Sequence, residues 1–289
     1  LPAERGFEVI SIFTGSKIDK TILDIFPNLK LIASRTTGID HIDQEATKAR
    51  QIIVKNVPTY GENTVAEFAF ALLLCLSRRI LDSATKVKNK GNFSSDGLQG
   101  FDIAGKTIGV VGTGHIGQHV IKIANGFGMN VIGFDAVPNR VLESQLNFRY
   151  LDFDSLLKNS DVITLHVPYL PTTHHLINLN NISLIKKGAV LINTARGSIV
   201  ETQALVKALN DGILAGVGLD VLEEETELKN MRQLILESDL DDEDLRTVLS
   251  NHVLIDMDNV IITPHNAFNT KEALTRILNT TIDNIQTFK

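Results

Sequence analysis

Thr107-Ile108-Gly109-Val110-Val111-Gly112-Thr113-Gly114-His115-Ile116-Gly117 is an apolar, partly β-branched run that stops at a glycine and passes through G-x-G-x-x-G. It continues as Gln118-His119-Val120-Ile121-Lys122-Ile123-Ala124, whose apolar positions share one helical face. Strand, tight turn and helix therefore follow one another. In such a unit the first glycine permits the turn, the second admits a pyrophosphate to the backbone, and the third lets helix and strand pack closely. The anion sits on unpaired N–H groups at the positive helix end, which makes Gly112, Gly114, His115, Ile116 and Gly117 candidate dinucleotide contacts. A second apolar run, Asn130-Val131-Ile132-Gly133-Phe134, ends at Asp135, eighteen positions after Gly117. A carboxylate there is placed to accept hydrogen bonds from a ribose.

The surrounding composition suits such a unit. A chain of 289 residues with 43% hydrophobic and 21% charged side chains is expected to form two globular domains. Its net charge of −6 argues against a general nucleic-acid or anionic-membrane binder, which needs clustered Lys and Arg. Much of the acidity is local, at Glu223 to Glu227 and Asp239 to Asp244. The lone cysteine, Cys75, lies in the apolar run Phe68 to Leu76 and cannot supply an internal disulfide or a zinc site. It reads as a buried thiol in a reducing compartment. With no secretory pattern and no apolar stretch of about 20 residues, the cytoplasm is the expected location and no metal is expected.

In chain order, Val9 to Phe13, Leu29 to Ser34 and Gln51 to Val54 predict short parallel strands, with a helix over Ile18 to Phe26. Thr64-Val65-Ala66-Glu67 has the pattern of a capping box and predicts one long helix to about Val87. Its apolar stretch Phe68 to Leu76 predicts burial on most sides, between domains or in a subunit contact. Asn89 to Gly105 predicts a loop. Beyond it, strands are expected at Thr107 to Val111, Asn130 to Phe134, Val162 to Val167, Ala189 to Asn193, Ile213 to Leu219 and Val260 to Thr263. Helices are expected at Ile116 to Phe127, Ser155 to Asn159, Glu201 to Asn210, near Leu228 to Glu237, and over Lys271 to Phe288. The fold class is α/β, with doubly wound parallel sheets whose ligands gather at the carboxyl ends of the strands.

Three residues stand out at those ends. Arg196, between small residues in Thr194-Ala195-Arg196-Gly197-Ser198, is free to grip a carboxylate with its planar fork. Asp220-Val221-Leu222-Glu223-Glu224-Glu225 supplies carboxylates after one strand, and Thr263-Pro264-His265 supplies an imidazole after another. A histidine oriented by a neighbouring carboxylate is a general acid-base candidate.

Taken together, Arg35-Thr36-Thr37-Gly38-Ile39-Asp40, Asn56-Val57-Pro58-Thr59-Tyr60, Thr64-Val65-Ala66-Glu67, the glycine turn with Asp135, Leu165-His166-Val167-Pro168, Asn193-Thr194-Ala195-Arg196-Gly197, Gly218-Leu219-Asp220-Val221 and Thr263-Pro264-His265 resemble the D-2-hydroxyacid dehydrogenases. The resemblance runs over nearly the whole chain. It implies two flavodoxin-like domains, a substrate domain of residues 1–81 and 270–289 interrupted by an NAD-binding domain of residues 82–269, and a homodimer. It places the catalytic arginine on Arg196, the acid-base histidine on His265 and the glutamate, five positions after the motif's aspartate, on Glu225. Thr37 and Gly38 match a carboxylate cradle, and Tyr60 matches a pocket tyrosine of the D-lactate dehydrogenase branch. His166, Val167, Pro168, Thr194, Ala195 and Asp220 match cofactor contacts.

The implied reaction is reduction of a 2-oxo acid by NADH, foremost pyruvate to D-lactate, with glyoxylate, hydroxypyruvate and phosphorylated hydroxy acids as alternatives. Asp135 favours NAD over NADP by repelling a 2′-phosphate. Relative to the family, the chain is expected to begin after the first strand and helix of the substrate domain. The acidic passage Glu224 to Asp258 is expected to be a solvated insertion, with Leu228, Met231, Leu234 and Ile235 on a helix face. A non-catalytic NADH-sensing corepressor of the same family is the alternative of another class.

Overall fold

The computed structural model describes residues 5–13, 15–225 and 242–288, and the expected helix near Leu228 to Glu237 lies outside them. Contacts divide the chain into two compact units, residues 1–61 with 268–289, and residues 62–267.

The first unit begins with β1 (Val9–Ile12), α1 (Lys20–Ile25), β2 (Leu31–Ser34), α2 (Gln44–Ala49) and β3 (Ile53–Lys55). Its three strands are parallel in the order β1-β2-β3, as the alternation of apolar runs and helical segments predicts. β2 is central and buried at every position. Both helices start where an aspartate meets an orphan N–H, Asp19 on Ile22 and Asp43 on Ala46.

The second unit opens with α3 (Glu62–Ser77) and α4 (Ile80–Lys90). Two expectations fail here. The helix starts before Thr64, so Thr64 is a buried position of its first turn, and Glu67 accepts from the Asn63 side chain. The single long helix is broken at Arg79, whose φ of 49° is left-handed. The apolar stretch of α3 is buried against its own sheet and the glycine-turn helix: a Cβ on Gly218 would stand 3.1 Å from the Leu72 Cβ. That packing places α3 with the second unit, so the division falls at residue 61 and not at the expected 81.

The chain continues through β4 (Thr107–Val111), α5 (His115–Gly126), β5 (Asn130–Phe134), α6 (Val141–Leu146), β6 (Arg149–Tyr150), α7 (Phe153–Asn159), β7 (Val162–Leu165), β8 (Ala189–Asn193), α8 (Thr202–Asn210), β9 (Leu214–Leu219), α9 (Asp242–Asp256) and β10 (Val260–Ile262). All seven strands are parallel, in the order β10-β9-β8-β7-β4-β5-β6. Strand order reverses between β4 and β7, and a crevice opens at such a point in doubly wound sheets. The central strands β7 and β8 are buried throughout, which explains their mainly apolar composition. β6, of two residues, is too short to leave a periodic signal and was not anticipated. α9 is not a solvated insertion: Val248, Asn251 and Leu254 are buried, and the helix packs on α8 and β10. The chain then returns to the first unit as α10 (Lys271–Gln286), which lies on β2, its first turn capped by Thr270 on the Ala273 N–H.

Candidate active site

In the second unit, the residues that follow the strands are stitched into one edge by backbone hydrogen bonds. Gly112 N–H donates to Phe134, His166 to Val111, Asp220 to Asn193 and Thr263 to Leu219, at 2.8–2.9 Å. The sheet itself therefore brings the glycine turn, His166, the arginine loop, the acidic turn and the histidine loop to its carboxyl edge.

Each glycine of the turn has a distinct reason to be glycine. Gly112 has φ of +93°, and a Cβ there would stand 2.8 Å from the carbonyl of His166, across the switch point. On Gly117 a Cβ would stand 2.0 Å from the Gly112 oxygen. At Gly114 it would meet nothing within 4 Å, and no side chain caps the helix that starts there. The first turn of α5 thus offers unclaimed N–H groups beside open space, which suits a phosphate. Asp135 locks the turn: one carboxylate oxygen accepts from the Thr113 N–H (2.8 Å) and hydroxyl (3.1 Å), and the other accepts from Val137 N–H (3.1 Å). Thr113 also meets the Tyr150 hydroxyl at 2.7 Å, a contact from β6 that the sequence did not betray.

The catalytic candidates follow β8, β9 and β10. Asp220 is buried, and its carboxylate accepts from the Thr263 hydroxyl (2.5 Å), Asn266 N–H (3.0 Å) and Ala267 N–H (2.8 Å). Burial raises its pKa, against the pull of those donors and of nearby His265. The loop so held carries His265 at φ of 52°, unfavourable for a side-chain-bearing residue. Its Nδ1 meets the Glu225 Oε1 at 2.7 Å. A carboxylate only accepts, so Nδ1 carries the proton and Nε2 is left for other work. Arg196 follows Asn193, whose side chain holds both the Ala195 N–H and the Arg196 carbonyl, and its guanidinium donates to the Ala195 carbonyl at 2.8 Å.

The neighbouring glutamates differ sharply. Glu223 is buried and accepts from the Thr202 N–H and hydroxyl, both at 2.7 Å, with His175 Nε2 at 2.6 Å on its other oxygen. Sequence reasoning missed His175, Thr202 and the buried state of Glu223, because nothing local marks which of three successive glutamates turns inward. Burial holds the His166 imidazole neutral, with its pKa lowered to about 3; Nε2 meets the Thr164 hydroxyl at 2.8 Å and Nδ1 is buried without a partner. Val167 and Pro168 follow on the same strand end, and Thr194 has a buried hydroxyl without a partner. Thr37, Gly38 and Tyr60 belong to the first unit, where Thr37 is held through its hydroxyl by Val57 and through its carbonyl by Asn56.

The NAD-binding domain model of the D-isomer specific 2-hydroxyacid dehydrogenases matches residues 70–267. The chain belongs to that family. The D-lactate dehydrogenase of Escherichia coli is 35% identical over 285 residues, spanning 97% of this chain and 83% of that protein. The glyoxylate reductase of Thermococcus litoralis is 40% identical over 242 residues, 80% of this chain and 73% of that enzyme. Among solved structures, the Aquifex aeolicus D-lactate dehydrogenase complexed with NAD and lactic acid is similar at a TM-score of 0.87 and 40% identity, covering 98% of this chain and 83% of that one. This dehydrogenase therefore uses NAD, and its glycine turn fits the dinucleotide through the open space at Gly114. Among the described residues, no helix is long and apolar enough to cross a membrane.

Two outcomes follow from this geometry. Gly114→Val adds its side chain where the protein has no atoms, so the variant should melt like the wild type yet lose NADH binding by about tenfold or more in a fluorescence titration. Unchanged NADH affinity would remove the turn from the cofactor site. For His166, the unfolded chain takes up a proton near the ordinary 6.5 and the folded protein only near 3, so stability present above pH 6.5 drains away as the pH falls through that window. Between about pH 6 and about pH 4, urea unfolding of the wild type should lose up to about 1.4 kcal/mol per pH unit more than His166→Gln. Parallel curves for the two proteins would contradict a buried neutral imidazole.

Proposed function

We propose that this enzyme interconverts 2-oxo acids and D-2-hydroxy acids, with pyruvate and D-lactate as its principal pair. The observation that carries the reading is the His265–Glu225 pair at 2.7 Å, on the strand edge that also bears Arg196 and the glycine turn. Arg196 binds the substrate carboxylate with its planar fork, and Thr37 and Gly38 of the first unit are assigned as a carboxylate cradle by their match to the family's motif. NADH, when bound at the glycine turn, would supply the hydride for the carbonyl carbon. In reduction His265 acts as the imidazolium: Nε2–H gives its proton to the carbonyl oxygen, which becomes the hydroxyl, and leaves the neutral ring with Nδ1–H on Glu225; in the oxidative direction the bare Nε2 takes the proton back. Glu225 holds the ring in the tautomer and orientation that this transfer needs.

For the cofactor, Gly112, Gly114, His115, Ile116 and Gly117 are assigned to the pyrophosphate and Asp135 to the ribose. His166, Val167, Pro168, Thr194, Ala195 and Asp220 are assigned to the nicotinamide side. The choice of pyruvate is supported by Tyr60 in Asn56-Val57-Pro58-Thr59-Tyr60, together with relatives named as D-lactate dehydrogenases. Relatives named as a glyoxylate reductase and a D-3-phosphoglycerate dehydrogenase define the competing substrates.

A panel of 2-oxo acids assayed by NADH absorbance tests the reading. Pyruvate should give the highest kcat/KM, NADPH should be the poorer donor, and His265→Gln should cut kcat at least about 100-fold while leaving NADH affinity nearly unchanged. Tight NADH binding with no turnover of any member would replace the enzyme with a nucleotide sensor.

The reading includes a homodimer, supported by exposed apolar side chains at Ile80, Leu81 and Val87 of α4 and at Phe93, which is 87% exposed. Sedimentation should give a dimer for the wild type and a monomer for Leu81→Lys combined with Phe93→Lys. A monomeric wild type at micromolar concentration would count against it.

A further inference from the structure

We infer that His175 and Glu223 form a positioning clamp that holds the arginine loop and the acidic turn in register with one another. Neither residue is in the acid-base pair, and neither is assigned to substrate or cofactor. The inference rests on the reading of Arg196, Glu225 and His265 given above.

His175 makes two connections. Its backbone N–H donates to the Ser198 carbonyl at 2.8 Å, two residues beyond Arg196. Its Nε2 meets the Glu223 Oε1 at 2.6 Å, two residues before Glu225. One residue thus touches both loops. It does so at φ of 47°, a conformation that an L side chain adopts only when its surroundings impose it. The ring also stacks on His174, with centroids 3.9 Å apart, which fixes the face it turns to Glu223.

Glu223 is held from three further sides. Its second oxygen accepts from the N–H and hydroxyl of Thr202 at the start of α8, and its carbonyl accepts from the buried Asn251 side chain of α9 at 2.8 Å. The arginine loop is pressed onto the same turn: a Cβ on Gly197 would stand 2.0 Å from the Leu222 carbonyl carbon and 2.3 Å from the Glu223 nitrogen. Glycine is required there because backbone meets backbone.

The consequence is a shared frame. Glu225 meets His265 Nδ1 from the turn that Glu223 anchors, and Glu224 crosses that turn at φ of 48°. A side chain placed about 1 Å out of position costs proton transfer dearly. Without His175 the Oε1 of this buried carboxylate is left unsatisfied while Thr202 still holds Oε2, and relief of that penalty shifts the turn. His175 and Glu223 therefore act through Glu225 and Arg196, without touching the reacting atoms.

The test uses His175→Leu, His175→Gln, Glu223→Gln, Glu225→Gln and the Glu223→Gln/Glu225→Gln double variant, with far-UV circular dichroism to confirm folding. Two readouts are taken: kcat for 2-oxo acid reduction, and the downfield proton NMR signal of the His265 Nδ1–H, assigned by its absence in His265→Gln. His175→Leu and Glu223→Gln should lower kcat about tenfold or more and broaden or shift the signal. His175→Gln keeps an amide donor for Glu223 and should stay within about threefold of the wild type with the signal intact. In the Glu225→Gln background, Glu223→Gln should cost little more, because the two act on one group.

Wild-type kcat and an unmoved signal in His175→Leu would overturn the clamp. So would full additivity of the two glutamate changes. Should Glu223→Gln fail to fold, the leucine and glutamine variants of His175 decide alone. If His265→Gln and Glu225→Gln leave turnover intact, the mechanism itself fails, and the NMR signal still reports whether His175 holds the turn.

Discussion

The buried carboxylate of Asp220 is the constraint on which the rest of the site depends. It sits at the end of β9 and gives up water for three protein donors, all from residues 263–267 after β10. Burial still wins the contest, since the net effect is to raise its pKa, so the group is held at some expense to stability. What it secures is the path of a loop that would not otherwise adopt its course. Backbone amides of Asn266 and Ala267 point at one side chain, and His265 is driven into left-handed backbone next to them. Parallel strands deliver residues to an edge to within a few ångströms. Aiming an imidazole needs the shorter leash that this carboxylate provides.

The same logic separates three consecutive glutamates. Glu223 points inward to a threonine and a histidine, Glu224 is exposed at positive φ, and Glu225 emerges to meet His265. Chemistry cannot distinguish them, since all three have the same side chain. The turn does, because Gly197 lets the arginine loop lie directly on Leu222 and Glu223 and so fixes which way each following residue faces. Which carboxylate meets the histidine is decided by the backbone more than by residue identity.

This bears on what the sequence could disclose. Strands β4, β5 and β8 fall where the apolar runs placed them to the residue, because buried parallel strands have continuous apolar composition and end at turn-forming glycine or polar residues. The glycine turn was legible because Gly112 and Gly117 answer local steric demands and Gly114 completes their spacing beside open space. The pairing of Glu225 with His265 was legible only through resemblance, being 40 residues apart in sequence. What escaped was non-local. β6 has two residues and exists because Gly133 and Ile132 offer an open edge. The break between α3 and α4 lies at an arginine, which carries no helix-stop signal. The helix Asp242–Asp256 hides in an acidic composition that masks its buried Val248 and Leu254. His175 and Thr202 gain meaning only once folding brings them to Glu223.

The cofactor end of the site shows the same economy in a form that constrains how its specificity can change. Asp135 is read as the residue that disfavours a 2′-phosphate, which invites its replacement by a neutral or basic side chain. Yet one of its oxygens already holds the Thr113 N–H and hydroxyl, in the middle of the glycine turn, and Thr113 in turn meets Tyr150. Removing the carboxylate would leave a buried threonine with one partner fewer and free the turn that a dinucleotide must find preformed. On that reading, selectivity against the phosphate and the shape of the glycine turn reside in one group. A change of cofactor must supply a new acceptor for the Thr113 amide as well as a cation for the phosphate. Arg140 does not supply that cation freely, since its guanidinium is engaged with Glu143 and lies over the Tyr150 ring.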